Sequence, residues 1–241
     1  MGQQLLRKQG AEERYFFSPA SQARPESAPV LGDLRFRALL GEAGWNELSP
    51  AVRRRFSKRL EGGATTIYAG TVTTLRVSLA GWVLAQAARL IGGPLPISRA
   101  TGLPSVVSVT EDQASGGQVW TRLYVRRRGF PQIIHSCKRF AGPTGLEEHL
   151  GAGFAMTLAV AVERGAIVFR SVGYFWHLGR LRVELPRWLW PGELTVTHRE
   201  IGTHRETGEA RFAFDLDLFH PRLGALLHQS VAFEETPSCN H

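Results

Sequence analysis

Phe154-Ala155-Met156-Thr157-Leu158-Ala159-Val160-Ala161-Val162 decides the fold. Its larger apolar residues, Phe154, Met156, Leu158, Val160 and Val162, share one face, and Ala155, Thr157, Ala159 and Ala161 share the other. That period of two marks a strand with one buried face. Outward from it, Glu163-Arg164-Gly165 reads as a tight turn, and Ile167, Phe169 and Ser171 carry the alternation onto a second strand. Leu194, Val196 and His198 alternate with Thr195, Thr197 and Arg199. Phe212, Phe214, Leu216 and Leu218 alternate with Arg211, Ala213, Asp215 and Asp217, and Leu227, Gln229, Val231 and Phe233 line a last strand. Glu206-Thr207-Gly208-Glu209 and His220-Pro221-Arg222 supply turn chemistry between these runs. Consecutive strands joined by short turns predict an antiparallel meander.

Upstream, Thr65–Val77 reads as the first strand, rich in Thr, Val, Ile and Tyr. Val106–Val109 and Val119–Val125 form a hairpin around Ala114-Ser115-Gly116-Gly117. Three helices are expected. Asp33 would cap one carrying Leu34, Leu39 and Leu40. Ser49-Pro50 would open a second, with Val52, Phe56 and Leu60 as its apolar stripe and Arg53, Arg54, Arg55, Lys58 and Arg59 on solvated faces. Ser78 would cap a third, marked by Leu79, Trp82, Val83, Gln86 and Leu90 and stopped by Gly92-Gly93-Pro94. Apolar nearly all round, this helix should be sandwiched against the sheet, covering its concave or open side. The expected fold is mainly β within the α+β class: a large curved antiparallel sheet forming an open or half barrel, with two or three N-terminal helices packed on it. Residues 33–235 would form one domain. Residues 1–32, polar and rich in Gln, Arg, Ser and Pro, read as a disordered tail, and 236–241 as a C-terminal tail.

The formal net charge of +8 and pI near 10.3 favour an anionic partner. Arginine supplies nearly all of the charge, the lysines being Lys8, Lys58 and Lys138, so arginine-biased codon usage is the competing explanation. Cys137 and Cys239 offer neither a disulfide framework nor a metal spacing, which predicts a reduced, cytoplasmic setting. The N-terminus has no continuous apolar run of signal-peptide type, and Leu79–Ala88 is about half a membrane span.

No catalytic motif is recognisable. A P-loop and G-x-S-x-G are absent, Gly151-Ala152-Gly153 leads into a strand, and the eight histidines form no metal spacing, so no catalytic residue, metal or cofactor is assigned. His149 beside Glu147 and Glu148 is the nearest approach to an acid–base group, and a solvated charged turn is the competing reading. His198, His204, His220 and His228 read as polar residues at strand ends.

Two stretches carry binding candidates. From Gln113 to Leu146 no acidic residue occurs, while Arg122, Arg126, Arg127, Arg128, Lys138 and Arg139 do; Trp120, Arg122, Tyr124 and Arg126 share one strand face. Interleaved aromatic and basic groups suit stacking with anion contact, or else aromatics packed beneath a helix with the arginine stems reaching outward. The second stretch is the connection Tyr174–Gly192, which holds Trp176, Trp188 and Trp190 together with Arg187. Such aromatic surface is core, a pocket rim or an interface. The expected ligand residues are therefore Trp120, Arg122, Tyr124, Phe154, Met156, Trp176, Trp188, Trp190, Phe212 and Phe214. Arg126, Arg127, Arg128 and Arg187 are the expected anion contacts.

The chain also resembles a bacterial family, domain of unknown function 4166. The resemblance lies in the order of Leu39-Leu40-Gly41-Glu42, Leu48-Ser49-Pro50-Ala51-Val52, Trp120-Thr121-Arg122, Leu146-Glu147-Glu148-His149-Leu150-Gly151, Leu185-Pro186-Arg187 through Pro191, and Phe212-Ala213-Phe214-Asp215. It implies no activity and no catalytic residues. It implies an association with NAD(P)-binding reductases resembling saccharopine dehydrogenase, which would here be a separate subunit. The expected function is non-catalytic binding of an apolar or amphipathic, lipid-like small molecule in a curved-sheet cavity. The alternatives are an auxiliary or substrate domain of an NAD(P)-dependent reductase system, and peripheral contact with an anionic membrane; nucleic acid is disfavoured for want of any recognised motif.

Overall fold

Strand β6 (Phe154–Glu163) has a neighbour on each edge: β5 (Glu147–Gly151) on one and β7 (Ala166–Leu178) on the other. That double pairing turns an otherwise open sheet into a ring. In a computed structural model, which describes residues 33–60, 64–203 and 210–234, the remaining strands are β1 (Thr65–Val77), β2 (Pro104–Asp112), β3 (Gly117–Tyr124), β4 (Gln132–Arg139), β8 (Leu181–Glu184), β9 (Glu193–Thr203), β10 (Ala210–His220) and β11 (Gly224–Glu234). Their order is β6-β5-β4-β3-β2-β1-β11-β10-β9-β7, all antiparallel, and the β7–β6 pairing closes ten strands into a barrel with β8 appended to β7. The expected open or half barrel is thus corrected to a closed one. Period-two patterning identifies strands and their buried faces but not which first and last strands meet, and closure removes the exposed edges that an open sheet would leave. The expected tails at 1–32 and 236–241, the turn Glu206–Glu209, His204 and Cys239 lie outside the described residues.

Two helices close one end of the barrel. Helix α1 (Arg35–Glu47) begins where the Asp33 carboxylate accepts the Arg35 amide at 3.0 Å, and α2 (Pro50–Phe56) where Ser49 Oγ accepts the Val52 amide at 3.4 Å. The Ser49 amide donates to the Gly165 carbonyl in the β6–β7 turn at 2.9 Å, fixing this pair against that end. Phe36 and Phe56 then meet Phe169 inside the barrel, at ring separations of 6.1 and 6.0 Å. Arg55 is not on a solvated helix face as its basic neighbours suggested. It is buried, and its Nε donates to His198 Nε2 at 2.8 Å while its guanidinium lies over the Phe212 ring. His198 is correspondingly a mid-strand, buried residue and not a strand-end one.

The other end is roofed by α3 (Leu79–Ala87), continued by a 3-10 turn, Ala88–Ile91. Ser78 caps α3 by accepting the Gly81 amide at 3.1 Å, and its own amide donates to Leu226 of β11. Gly92 (φ +107°) lies against the Leu150 carbonyl at the far end of β5, so this segment crosses the barrel end. Only Gly81 and Ala85 of α3 are buried, and Leu79, Trp82 and Val83 are exposed. The helix is a lid with a bare outer face; it is not sandwiched.

Candidate functional site: a pocket beneath the lid

Strand β7 serves two neighbours along one edge. Ile167–Arg170 pair with β9, whereas Phe175–Leu178 pair with β8. Where β7 leaves β9 the ladder is replaced by side chains. Ser171 Oγ accepts the Leu194 amide at 2.9 Å, and the Tyr174 hydroxyl donates to the Gly192 carbonyl at 2.9 Å. Tyr174–Gly192 is therefore not a bare connection. It comprises the last residues of β7, the strand β8 and a 3-10 turn, Arg187–Leu189.

The divergence opens a pocket of about 470 Å³ under the lid. One wall is Leu84, Ala87, Ala88 and Ile91, and the facing wall is Phe154, Met156, Tyr174, Trp176 and Trp190, with Leu95, Leu194 and Leu218 at its floor and sides. The aromatic wall is braced: Phe154 stacks on Tyr174 at 5.8 Å, and Trp190 meets Tyr174 edge-on at 5.4 Å. Its polar atoms are already bonded. Trp176 Nε1 donates to the Ala152 carbonyl at 2.7 Å and Trp190 Nε1 to the Leu185 carbonyl at 2.9 Å. Burial pushes the Tyr174 hydroxyl up to about 12, against the lowering effect of Ser171, so it stays a neutral donor.

The expected ligand residues divide among three places. Phe154, Met156, Trp176 and Trp190 line this pocket, and Trp188 stands exposed on its rim beside Leu189. Trp120, Arg122, Tyr124 and Phe214 instead line a chamber of only about 40 Å³ in the barrel interior, and Phe212 is fully buried in a stack with His198 and Phe233. Arg126, Arg127 and Arg128 are exposed in the β3–β4 turn, and Arg187 is exposed with its guanidinium 5.3 Å from the Trp190 ring centre. Patterning missed Leu84, Ala87, Ala88 and Ile91, although their i, i+3, i+4, i+7 spacing is the signal of one helix face.

The interior chamber is filled by an ionic network. Lys138 Nζ lies 2.8 Å from Glu148 Oε2, Ser136 Oγ donates to Glu148 Oε1 at 2.7 Å, and Arg122 reaches Ser136 at 3.0 Å and Glu148 at 3.4 Å. Burial raises the Glu148 carboxyl, but Lys138, Arg122 and these hydrogen bonds outweigh it and hold the group at about 2. Arg122 thus points inward, not outward, and the counterion for the acid-free stretch lies just beyond it in sequence.

Glu147 and His149, on the opposite face of β5 from Glu148, do not form a solvated turn. Glu147 is buried and ion-paired with Arg182, and His149 Nε2 lies 3.4 Å from Glu147 Oε2. His177 stacks on His149 at 5.7 Å, and the three donor groups fall within 4.8 Å of one another. Burial, then Arg139, pulls His149 below its ordinary value, leaving a neutral imidazole. With Arg182 already on the carboxylate and Arg139 near the imidazole, two guanidiniums compete with any cation there.

No curated protein and no solved structure matches the chain. The sequence profile of one family, Domain of unknown function (DUF4166), matches residues 48–233, which takes in every strand of the barrel, helices α2 and α3, and both walls of the pocket. The chain belongs to that family.

Proposed function

We propose that this domain binds an apolar or amphipathic small molecule in the pocket beneath the lid. The observation that carries the reading is a cavity of about 470 Å³ whose indole and phenol donors are all spent on backbone carbonyls. Nothing in its walls would compensate a buried polar ligand, whereas hydrocarbon gains about 25 cal/mol per Å² on leaving water. The volume is within the range of sites that take drug-sized or lipid-sized molecules. The occupant therefore buries a chain or ring system and leaves any polar head at the rim, where Arg187 and Trp188 stand.

Native mass spectrometry of the purified protein, together with tryptophan fluorescence during titration with a long-chain fatty acid and a lysophospholipid, tests this. Trp176 and Trp190 lie in the wall, so binding should change their emission. Ala88→Trp, which fills the cavity from the lid, should abolish the change while circular dichroism stays that of the parent. A protein that arrives empty and whose emission ignores both lipids would refute the reading.

A further inference from the structure

We propose that the lid end of the barrel docks on the surface of an anionic lipid bilayer. The strand ends and connections at that end are residues 76–103, 124–133, 149–154, 176–192 and 218–226. Every large apolar side chain that the described residues leave exposed lies in these segments, apart from Leu34, Ile67 and Val172. They include Leu79 and Val83 on the outer face of the lid, Phe130 in the β3–β4 turn (91% exposed), Trp188 (74%) and Leu223 in the β10–β11 turn (59%). Concentration of such groups at one end of a molecule marks an interaction surface.

Charge identifies the occupant. The same segments hold ten arginines and no lysine; their one carboxylate, Glu184, is already bound to Arg182 at 2.6 Å, and the start of β9 adds a second at that end, the exposed Glu193. Exposed arginines crown separate turns: Arg126, Arg127 and Arg128 between β3 and β4, Arg180 between β7 and β8, Arg187 before β9, and Arg222 between β10 and β11. The opposite end is mixed: Asp33, Glu42, Glu47, Asp112 and Glu163 lie there beside Arg35, Arg37, Arg53, Arg54, Lys58 and Arg164, and Asp33, Glu42 and Glu163 are ion-paired with Arg35, Arg37 and Arg170. The end whose charge is almost wholly arginine is therefore also the apolar end. Arginine between protruding Trp, Leu and Phe suits the headgroup layer, where indoles are at home and guanidiniums reach phosphates while their stems lie against acyl chains. Nucleic acid would use the charge but would leave the lid's aliphatic side chains in water. No helix among the described residues is long and apolar enough to cross a membrane, so the contact is peripheral.

The docking residues Leu79, Val83, Phe130, Leu223 and the Arg126–Arg128 triplet are not pocket-lining residues and Trp188 stands only at the rim, so docking and pocket filling are separable through the first group and through Ala88→Trp. The test is co-sedimentation of the full chain with phosphatidylcholine vesicles and with phosphatidylcholine–phosphatidylglycerol vesicles, at low and at high salt. Anionic vesicles should partition the protein more than about tenfold better than neutral ones at low salt, with the advantage shrinking as salt rises. Arg126→Glu/Arg127→Glu/Arg128→Glu should remove most of that advantage. Trp188→Ser with Leu79→Ser should lower binding at both salts. All five positions are exposed, so the fold should be preserved by circular dichroism. Ala88→Trp should dock like the parent, which separates this proposal from the pocket reading. Equal sedimentation with both vesicle types would overturn it. So would charge-reversed and apolar variants that bind as the parent does, or binding of a DNA duplex that displaces the vesicles and ignores Trp188→Ser.

Discussion

Lys138 Nζ lies 2.8 Å from Glu148 Oε2 inside the barrel, both side chains being almost wholly buried. An ion pair so placed gains little over a hydrophobic pair, yet breaking one side of it strands a charge. Glu148→Gln should therefore lower unfolding free energy by about 3–5 kcal/mol, measured by urea denaturation. The double variant Glu148→Leu/Lys138→Met should lose less than that single change. A double variant less stable than the single would mean that the pair itself supplies the stability.

The same carboxylate sets an acid limit. Its ordinary value of 4.5 falls to about 2 in the folded chain, because Lys138, Arg122 and Ser136 together outweigh burial. A depressed carboxyl contributes stability that is present above about 4.5 and is lost as pH falls through about 2. Glu148→Gln should flatten the stability profile in that window. Thermal unfolding at a series of acid pH values reads the difference.

His198 produces an earlier loss. Burial, then the Arg55 guanidinium, holds its imidazole well below the ordinary 6.5. The Phe56, Phe212 and Phe214 rings pack against it and do not titrate, and Lys58 lines the same small cavity as a second cation. The unfolded chain takes up a proton below about 6.5 and the folded chain does not, so stability falls as pH drops from there. His198→Gln, which can still accept from Arg55, should reduce this slope, His149 retaining a part of it through its own lowered value. An unchanged slope in the variant would remove His198 from the account.

Gly81 reports how closely the lid sits. A Cβ at this position would run into the Leu226 carbonyl oxygen, a backbone atom that cannot swing aside. Replacing glycine by alanine within an exposed helix ordinarily gains about 1 kcal/mol. Here Gly81→Ala should instead lose about 1–3 kcal/mol through overpacking and should weaken lipid binding as the lid lifts. A gain in thermal stability would show that α3 is not seated on β11.

The strands around Phe154 and Phe212 are legible in sequence because large apolar residues alternate there with small or polar ones, although Ala155, Thr157 and Ala213 on the second face are buried as well; the caps at Ser49 and Ser78 are legible because their chemistry is local. Closure of the barrel is not, since it depends on β7 pairing with both β6 and β9 at once. Half of the pocket was legible: Phe154, Met156, Trp176 and Trp190 stood out by size and alternation. The lid wall did not: Leu84, Ala87, Ala88 and Ile91 are spaced as one face, but α3 is apolar nearly all round, so no broad polar face sets that stripe apart. Trp120 and Arg122 stood out for composition, but their partners Glu148 and Ser136 come from neighbouring strands, and pairing across a sheet leaves no mark in linear order.

Tyr174 ties the pocket wall to the β9 side of the slot, and its ionisation should release that tie. Burial pushes its hydroxyl from 10 up to about 12, Ser171 opposing the shift. A raised phenol contributes stability that is complete below about 10 and lost as pH rises through about 12. Tyr174→Phe removes the donor to the Gly192 carbonyl and keeps the ring against Phe154 and Trp190. It should cost about 1 kcal/mol at neutral pH, the net worth of one hydrogen bond, and should flatten the alkaline limb of the stability profile. Ultraviolet difference absorbance should show one tyrosinate fewer appearing near pH 12 in the variant than in the parent. Should the variant instead lose a tyrosine that titrates near 10, the hydroxyl faces water and the slot between β7 and β9 is not held shut by this bond.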